Sequence, residues 1–173
     1  MARAVLSGFA AASLCGVGLG APGVVAHETG EVLWSPILRG APAPLGEAAT
    51  ARLGVRATVD NDANLLALAE LWFGSGRDLA DFALVTIERG LGMGLVLDGR
   101  LHRGGTGLGL ELGHIKVQID GALCRCGQRG CLEAYIADYA LAREATTALN
   151  WLNTPGRPVH VQLESLFDHA KAG

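Results

Sequence analysis

A chain of 173 residues, half of them hydrophobic and 18% charged, has a globular composition and enough length to bury a core, which excludes a disordered segment. Its net charge of −3 comes without any dense basic stretch, so it offers no footprint for nucleic-acid phosphates.

At the N-terminus, Arg3 precedes an apolar run from Ala4 to Ala21 that has the outline of a secretory leader. Glycines and serines interrupt the run and a single charge stands before it, so the expectation is a cytoplasmic chain with no membrane span. Residues 14–19, LCGVGL, predict a short buried strand leading into a turn at Pro22-Gly23. Three prolines among residues 24–46 predict loops and a strand end. DANLLALAELWF (62–73) carries apolar residues at helical spacing behind an Asn-Asp start. FALVTI (82–87) predicts a strand, and MGLVLDGRLH (93–102) predicts a hairpin turning at Asp98-Gly99. IKVQI (115–119) alternates like a strand, while 132–149 and 163–172 read as helices. Strands alternating with helices make the fold class α/β, with no internal repeat and no low-complexity segment.

Three of the four cysteines fall within eight positions behind a histidine: His114, Cys124, Cys126 and Cys131, spaced H-x9-C-x-C-x4-C. Cysteines one residue apart bridge each other with strain, three cannot all pair, and Cys15 is distant in sequence. A tetrahedral Zn²⁺ takes three thiolates and an imidazole readily, and Gly127 and Gly130 allow the tight turn between Cys126 and Cys131. Four protein ligands leave no position for a catalytic water, so such a zinc is structural. Ordinary free cysteines in a loop are the alternative.

GHIKVQIDGALCRCGQRGCLE (113–133) resembles the zinc motif of the ROK family (repressors, open reading frames, kinases). GVGLGAPGVV (16–25), DNDAN (60–64) and GLGMGLVLDGRLHRGGTGLGLELGH (90–114) match the family in the same order, so the resemblance runs from about residue 14 to 145. It implies the actin-like, ribonuclease-H-like α/β fold, here partial, with two lobes that close over a sugar and, in kinases, over ATP and Mg²⁺. On that pattern residues 14–60 would end the first lobe, and 61–173 would supply a hinge helix and a second-lobe segment with the zinc loop at 113–133. The family's D-x-G-G-T phosphate loop, the repressors' helix-turn-helix and the closing part of the second lobe are expected to have no counterpart in these residues.

The resemblance also implies residue roles. Asp62 matches the base that takes a proton from the sugar hydroxyl in kinases, and Asn61 matches a sugar-hydroxyl partner. Without the resemblance the two read as a helix N-cap pair. Glu111, His114 and Glu133 match the remaining sugar contacts; His114 can offer one ring nitrogen to the zinc and the other to a hydroxyl. The zinc would thereby tie Glu111, His114 and Glu133 into one frame. Otherwise Glu111 and Glu133 read as a solvated charge and a helix N-terminal carboxylate.

The second phosphate loop departs from the pattern. Kinases of the family read G-T-G-x-G-x-G where this chain has Glu88-Arg89-Gly90-Leu91-Gly92-Met93-Gly94. Gly90, Gly92 and Gly94 remain, yet Glu88 puts a negative charge where phosphate would lie; degeneration at this loop resembles the family's repressors more than its kinases. Two functions are therefore expected. One is the sugar-binding effector domain of a ROK-type transcriptional regulator, without kinase activity. The other is a truncated ROK sugar kinase of glucokinase or N-acetylhexosamine kinase type; a remnant without function is a third reading. The implied partners are a hexose or N-acetylhexosamine and a second copy of the chain, with DNA reached only through a helix-turn-helix.

Overall fold

The computed structural model describes residues 14–38, 40, 42–105, 110–148 and 159–172. Most of the apolar N-terminal run, residues 106–109 of the glycine-rich stretch and residue 149 of the expected 132–149 helix lie outside them. The architecture is mixed α/β, in two units; the chain passes between them within two of its strands and again between Leu110 and Glu111. One unit comprises the described residues up to Leu84 together with those from Gly94 to Leu110. The other comprises Val85–Met93 and the described residues from Glu111 onward.

In the first unit β1 (Val17–Ala21) pairs in parallel with β4 (Ala57–Asn61), Val17 opposite Ala57 and Ala21 opposite Asn61. Parallel neighbours need a long crossover. Here it consists of the antiparallel pair β2 (Val24–Ala26) and β3 (Glu31–Trp34), followed by helix α1 (Leu45–Leu53). Residues 24–46 thus hold more regular structure than their prolines suggest. Two of those prolines, Pro36 and Pro42, lie between β3 and α1, and Pro44 is the residue before α1, where its missing N–H is no loss. Gly54, left-handed at φ 71°, ends the helix with its N–H on Thr50 O. The Thr50 hydroxyl then accepts the Ala57 N–H at 2.9 Å, so the same turn starts β4. Ala21, Val25, Val32 and Val59 form the core, with Leu19, Leu38 and Leu45 packed around it.

Helix α2 (Asp62–Phe73) follows β4 directly and has the bounds its sequence predicts. Asn61 is its N-cap: the side-chain oxygen accepts the Asn64 N–H at 3.2 Å. Ala63 and Ala67 give the helix a flat buried stripe, and Gly94 lies against it. A Cβ at Gly94 would come within 2.6 Å of both Ala63 O and Ala67 Cβ.

Strands β5 (Phe82–Ile87), β6 (Leu91–Leu97) and β7 (Arg100–His102) make a sheet in that order. The expected hairpin is present, with Leu97 opposite Arg100. Asp98 and Gly99 both take positive φ, 50° and 68°, as a two-residue turn of the type that matches strand twist requires.

In the second unit, α3 (Glu133–Ile136), α4 (Asp138–Ala148) and α5 (Val159–Ala172) follow the cysteine loop. The sequence pattern predicts one helix across the first two, but Ala137 is extended at ψ 158°. Tertiary partners explain the break. The Asp138 N–H bonds Glu88 O at 2.9 Å, and Ala134 O accepts from the Arg143 guanidinium at 3.0 Å. Helix α5 starts earlier than the apolar spacing indicates. Residues 115–119 are not a strand: among the described residues their one bridge joins Lys116 to Cys131, and Ile115, Val117 and Ile119 are exposed. Their alternation does not record burial, because the segment wraps the cysteine loop and lies in no sheet.

Candidate functional site

The cysteine loop is held by its own backbone. A single 3-10 turn, Leu112–His114, closes with the His114 N–H on Glu111 O and so presents Glu111 and His114 together. Cys124 and Cys126 lie on a tight turn: the Cys124 N–H bonds Gln128 O at 2.8 Å, and the Gly127 N–H bonds Cys124 O at 3.0 Å. Gly127 and Gly130 are both left-handed, and a Cβ on Gly130 would collide with Gln118 O.

This folding gathers the four residues singled out by spacing. One donor atom from each of His114, Cys124, Cys126 and Cys131 lies within 4.8 Å of every other. The Cys126 and Cys131 sulfurs are 3.8 Å apart, too far for a disulfide, and all three are free thiols. Two thiolates bound at about 2.3 Å to one tetrahedral ion stand about 3.8 Å apart. The group can therefore hold a metal ion. His114 turns Nδ1 toward the Cys124 sulfur at 3.8 Å and Nε2 toward Glu111 Oε2 at 3.7 Å. Cys15 is exposed and belongs to the other unit.

Burial first, and the nearby Glu133 charge to a lesser degree, push the Cys124 thiol up to about 11. The Gln128 backbone N–H, chiefly, holds Cys126 below the ordinary thiol value. Lys116 adds positive charge there, its ammonium 3.1 Å from the Cys131 sulfur.

Glu133 opens α3 at 9% exposure, and both its oxygens have partners. Oε2 accepts the Leu91 N–H at 3.2 Å; Oε1 accepts the Tyr139 hydroxyl at 3.3 Å and lies 3.6 Å from the Cys124 sulfur. Burial, first of all, raises the Tyr139 phenol above its ordinary value. Gly90 makes room for this carboxylate, since a Cβ there would stand 3.1 Å from Oε2. In the turn before it, the Glu88 N–H bonds Gly90 O at 3.0 Å, and the Glu88 and Arg89 side chains are exposed.

Asn61 and Asp62 lie in the first unit, apart from this cluster in the division of the chain. The Asn61 amide donates to Gly23 O at 3.0 Å while its oxygen caps α2. Asp62 is exposed, with Oδ1 accepting the Ala63 N–H at 2.9 Å.

Four participants were not legible from spacing. Asp60, 3% exposed, is a buried hub: the Arg103 guanidinium reaches its Oδ2 at 2.8 and 2.9 Å, and His27 lies 3.3 Å away. Its Oδ1 accepts from the Asn61 N–H and the Asn64 amide at 2.8 and 3.1 Å. Lys116, Arg125 and Tyr139 surround the cysteines in the other unit. None stands at a spacing that announces its role; a buried acid's need for a cation was the one usable signal.

No helix among the described residues is long and apolar enough to cross a membrane. A family model described as the ROK family matches residues 6–173. The chain is 36% identical over 164 residues to a glucokinase of Thermotoga maritima, covering 91% of this chain and 52% of that protein. It is 35% identical over 128 residues to a xylose repressor of Caldicellulosiruptor bescii, covering 74% of this chain and 32% of the repressor. A ROK family glucokinase from Streptomyces griseus, solved with glucose and AMPPNP, superposes with a TM-score of 0.76 at 37% identity, over 86% of this chain and 48% of that one. The chain thus spans about half or less of the length of these relatives, and kinases and repressors match it alike. A match across nearly all its residues, together with a fold shared with ROK structures of actin-like architecture, settles the family: this chain belongs to the ROK family.

Proposed function

We propose that the chain is the sugar-binding portion of a ROK-family transcriptional regulator, and that the ion held by His114, Cys124, Cys126 and Cys131 is a structural zinc. The observation that carries the reading is the orientation of His114. One ring nitrogen faces the thiols and the other faces Glu111, so a bound metal would fix an imidazole and a carboxylate beside each other. Glu133, buried next to Cys124, belongs to the same frame. Asn61 and Asp62, in the other unit, are assigned to the sugar by the family resemblance alone. The ligand is a hexose or N-acetylhexosamine, in keeping with the glucose held by the similar Streptomyces griseus enzyme. Contact with DNA would be made by a helix-turn-helix elsewhere in the protein, acting as a homo-oligomer.

Glu88 favours a regulator over a kinase. Phosphoryl transfer relies on positioning and on neutralising phosphate charge, and an exposed carboxylate in the β5–β6 turn opposes both. One observation favours the alternative, a ROK sugar kinase using ATP and Mg²⁺: Asp62 is exposed at the start of α2, open to a sugar hydroxyl as a base must be.

Calorimetric titration with glucose and N-acetylglucosamine tests the binding reading. Glu111→Ala should weaken binding about tenfold or more, as loss of a charged hydrogen-bond partner does; equal affinities would remove Glu111 from the site. With ATP and Mg²⁺ present, sugar phosphate formed above an Asp62→Ala control would overturn the regulator and establish the kinase.

A further inference from the structure

We propose that Tyr139 is a positioning residue that aims the Glu133 carboxylate, an inference that rests on reading Glu133 as a sugar contact. A carboxylate turns about its last torsion unless both oxygens are held. Backbone holds one of them, Oε2, through the Leu91 N–H at 3.2 Å. The other, Oε1, has the Tyr139 hydroxyl at 3.3 Å; that hydroxyl also stands 3.8 Å from the Cys124 sulfur, and the carboxylate is the nearer acceptor. The remaining neighbour of Oε1 is the Cys124 sulfur at 3.6 Å, a thiol and a weak donor, and one that gives up its proton when it ligates a metal. Tyr139 is then the donor that keeps Oε1 in place beside a thiolate.

The ring is itself fixed. The Arg125 guanidinium carbon sits 3.9 Å from the ring centroid, and the Arg125 side chain donates to Arg89 O at 3.3 Å. A cation over the ring face and a backbone anchor for that cation leave the phenol little freedom. The arrangement joins the β5–β6 turn, the cysteine loop and the start of α4 through one side chain, and its consequence is orientation of Glu133 and not chemistry by Tyr139.

Tyr139→Phe removes the hydroxyl and keeps the ring under Arg125. In the zinc-loaded full chain, with glutamate carboxyl carbons labelled with ¹³C and Glu133 assigned through Glu133→Gln, the substitution should move the Glu133 carboxyl resonance. The metal-to-protein ratio should stay that of the wild type. An unmoved resonance overturns the proposal whether or not the chain binds sugar, and loss of the metal overturns it by assigning the hydroxyl to the cysteine loop. In glucose and N-acetylglucosamine titrations, Tyr139→Phe should weaken binding about tenfold. The double variant with Glu133→Gln should bind no more weakly than Glu133→Gln alone, because a residue acting through Glu133 has no effect once Glu133 is altered. Additive losses overturn the proposal. A shifted resonance in a chain that binds no sugar upholds the positioning role and removes the sugar reading instead.

Discussion

Gly94 stands in a glycine run that resembles a phosphate loop, yet its surroundings give it a packing role that can be measured. A Cβ placed on it would lie 2.6 Å from Ala67 Cβ and 2.6 Å from Ala63 O. Carbon atoms in contact settle at about 3.5–4.0 Å, so Gly94→Ala demands a displacement of about 1 Å between β6 and α2. Neither neighbour can rotate away, one being backbone and the other an alanine. Overpacking of this kind costs about 1–3 kcal/mol, and the upper half applies because only backbone movement relieves it. Restricting the unfolded chain returns about 0.4–1 kcal/mol, leaving a net loss of about 1–2.6 kcal/mol. For a protein of this size that lowers the melting temperature by about 2–10 °C. Gly18→Ala is the control: Gly18 also lies in a strand, and nothing stands within 4 Å of its Cβ position. Thermal unfolding followed by circular dichroism reads both. Equal melting temperatures for Gly94→Ala and Gly18→Ala would refute the packing argument and return Gly94 to the phosphate-loop reading.

Three further outcomes are expected. Cys126→Ser should remove the metal and expose the 113–133 loop to proteolysis, since metal binding and local folding are coupled; one zinc per chain in the freshly purified, reduced variant would refute the ligand set. Metal affinity should rise with pH, because each thiol must shed a proton to ligate; with Cys124 at about 11 before metal binds, the rise should continue from pH 7 through pH 9, and chelator competition giving a flat profile would exclude this thiol as a ligand. Arg103→Leu should cost about 2–3 kcal/mol, since it strips a doubly bonded cation from the nearly buried Asp60, and the loss should shrink when Asp60 is also replaced by Asn; urea unfolding that finds additive losses would show that the pair does not act together.

How the expectations fared follows the range of the interactions behind them. Helix α2 was legible to the residue because Asn61 caps it and its apolar spacing continues without interruption to Phe73. The Asp98-Gly99 turn was legible because two adjacent positive φ values select so few residues. The grouping of His114, Cys124, Cys126 and Cys131 was legible because three thiols and an imidazole at short spacing have few other uses, and the fold brings donor atoms that could hold a metal ion together. Each of these is a local constraint, written in neighbours along the chain.

Other features were decided by partners far away in sequence. The break at Ala137 arises because the N–H of Asp138 finds Glu88 O, and no property of the segment from Leu132 onward announces that. IKVQI alternates like a strand but lies along the cysteine loop, so its apolar residues stay exposed. Asp60 finds its cation at Arg103, and Glu133 finds Leu91 and Tyr139. Sequence by itself determined which side chains can ligate, cap and turn, because those capacities are chemical and local. Only the tertiary structure decided which of them meet, because a buried polar group takes whatever partner the packing of distant segments brings within 3 Å or so.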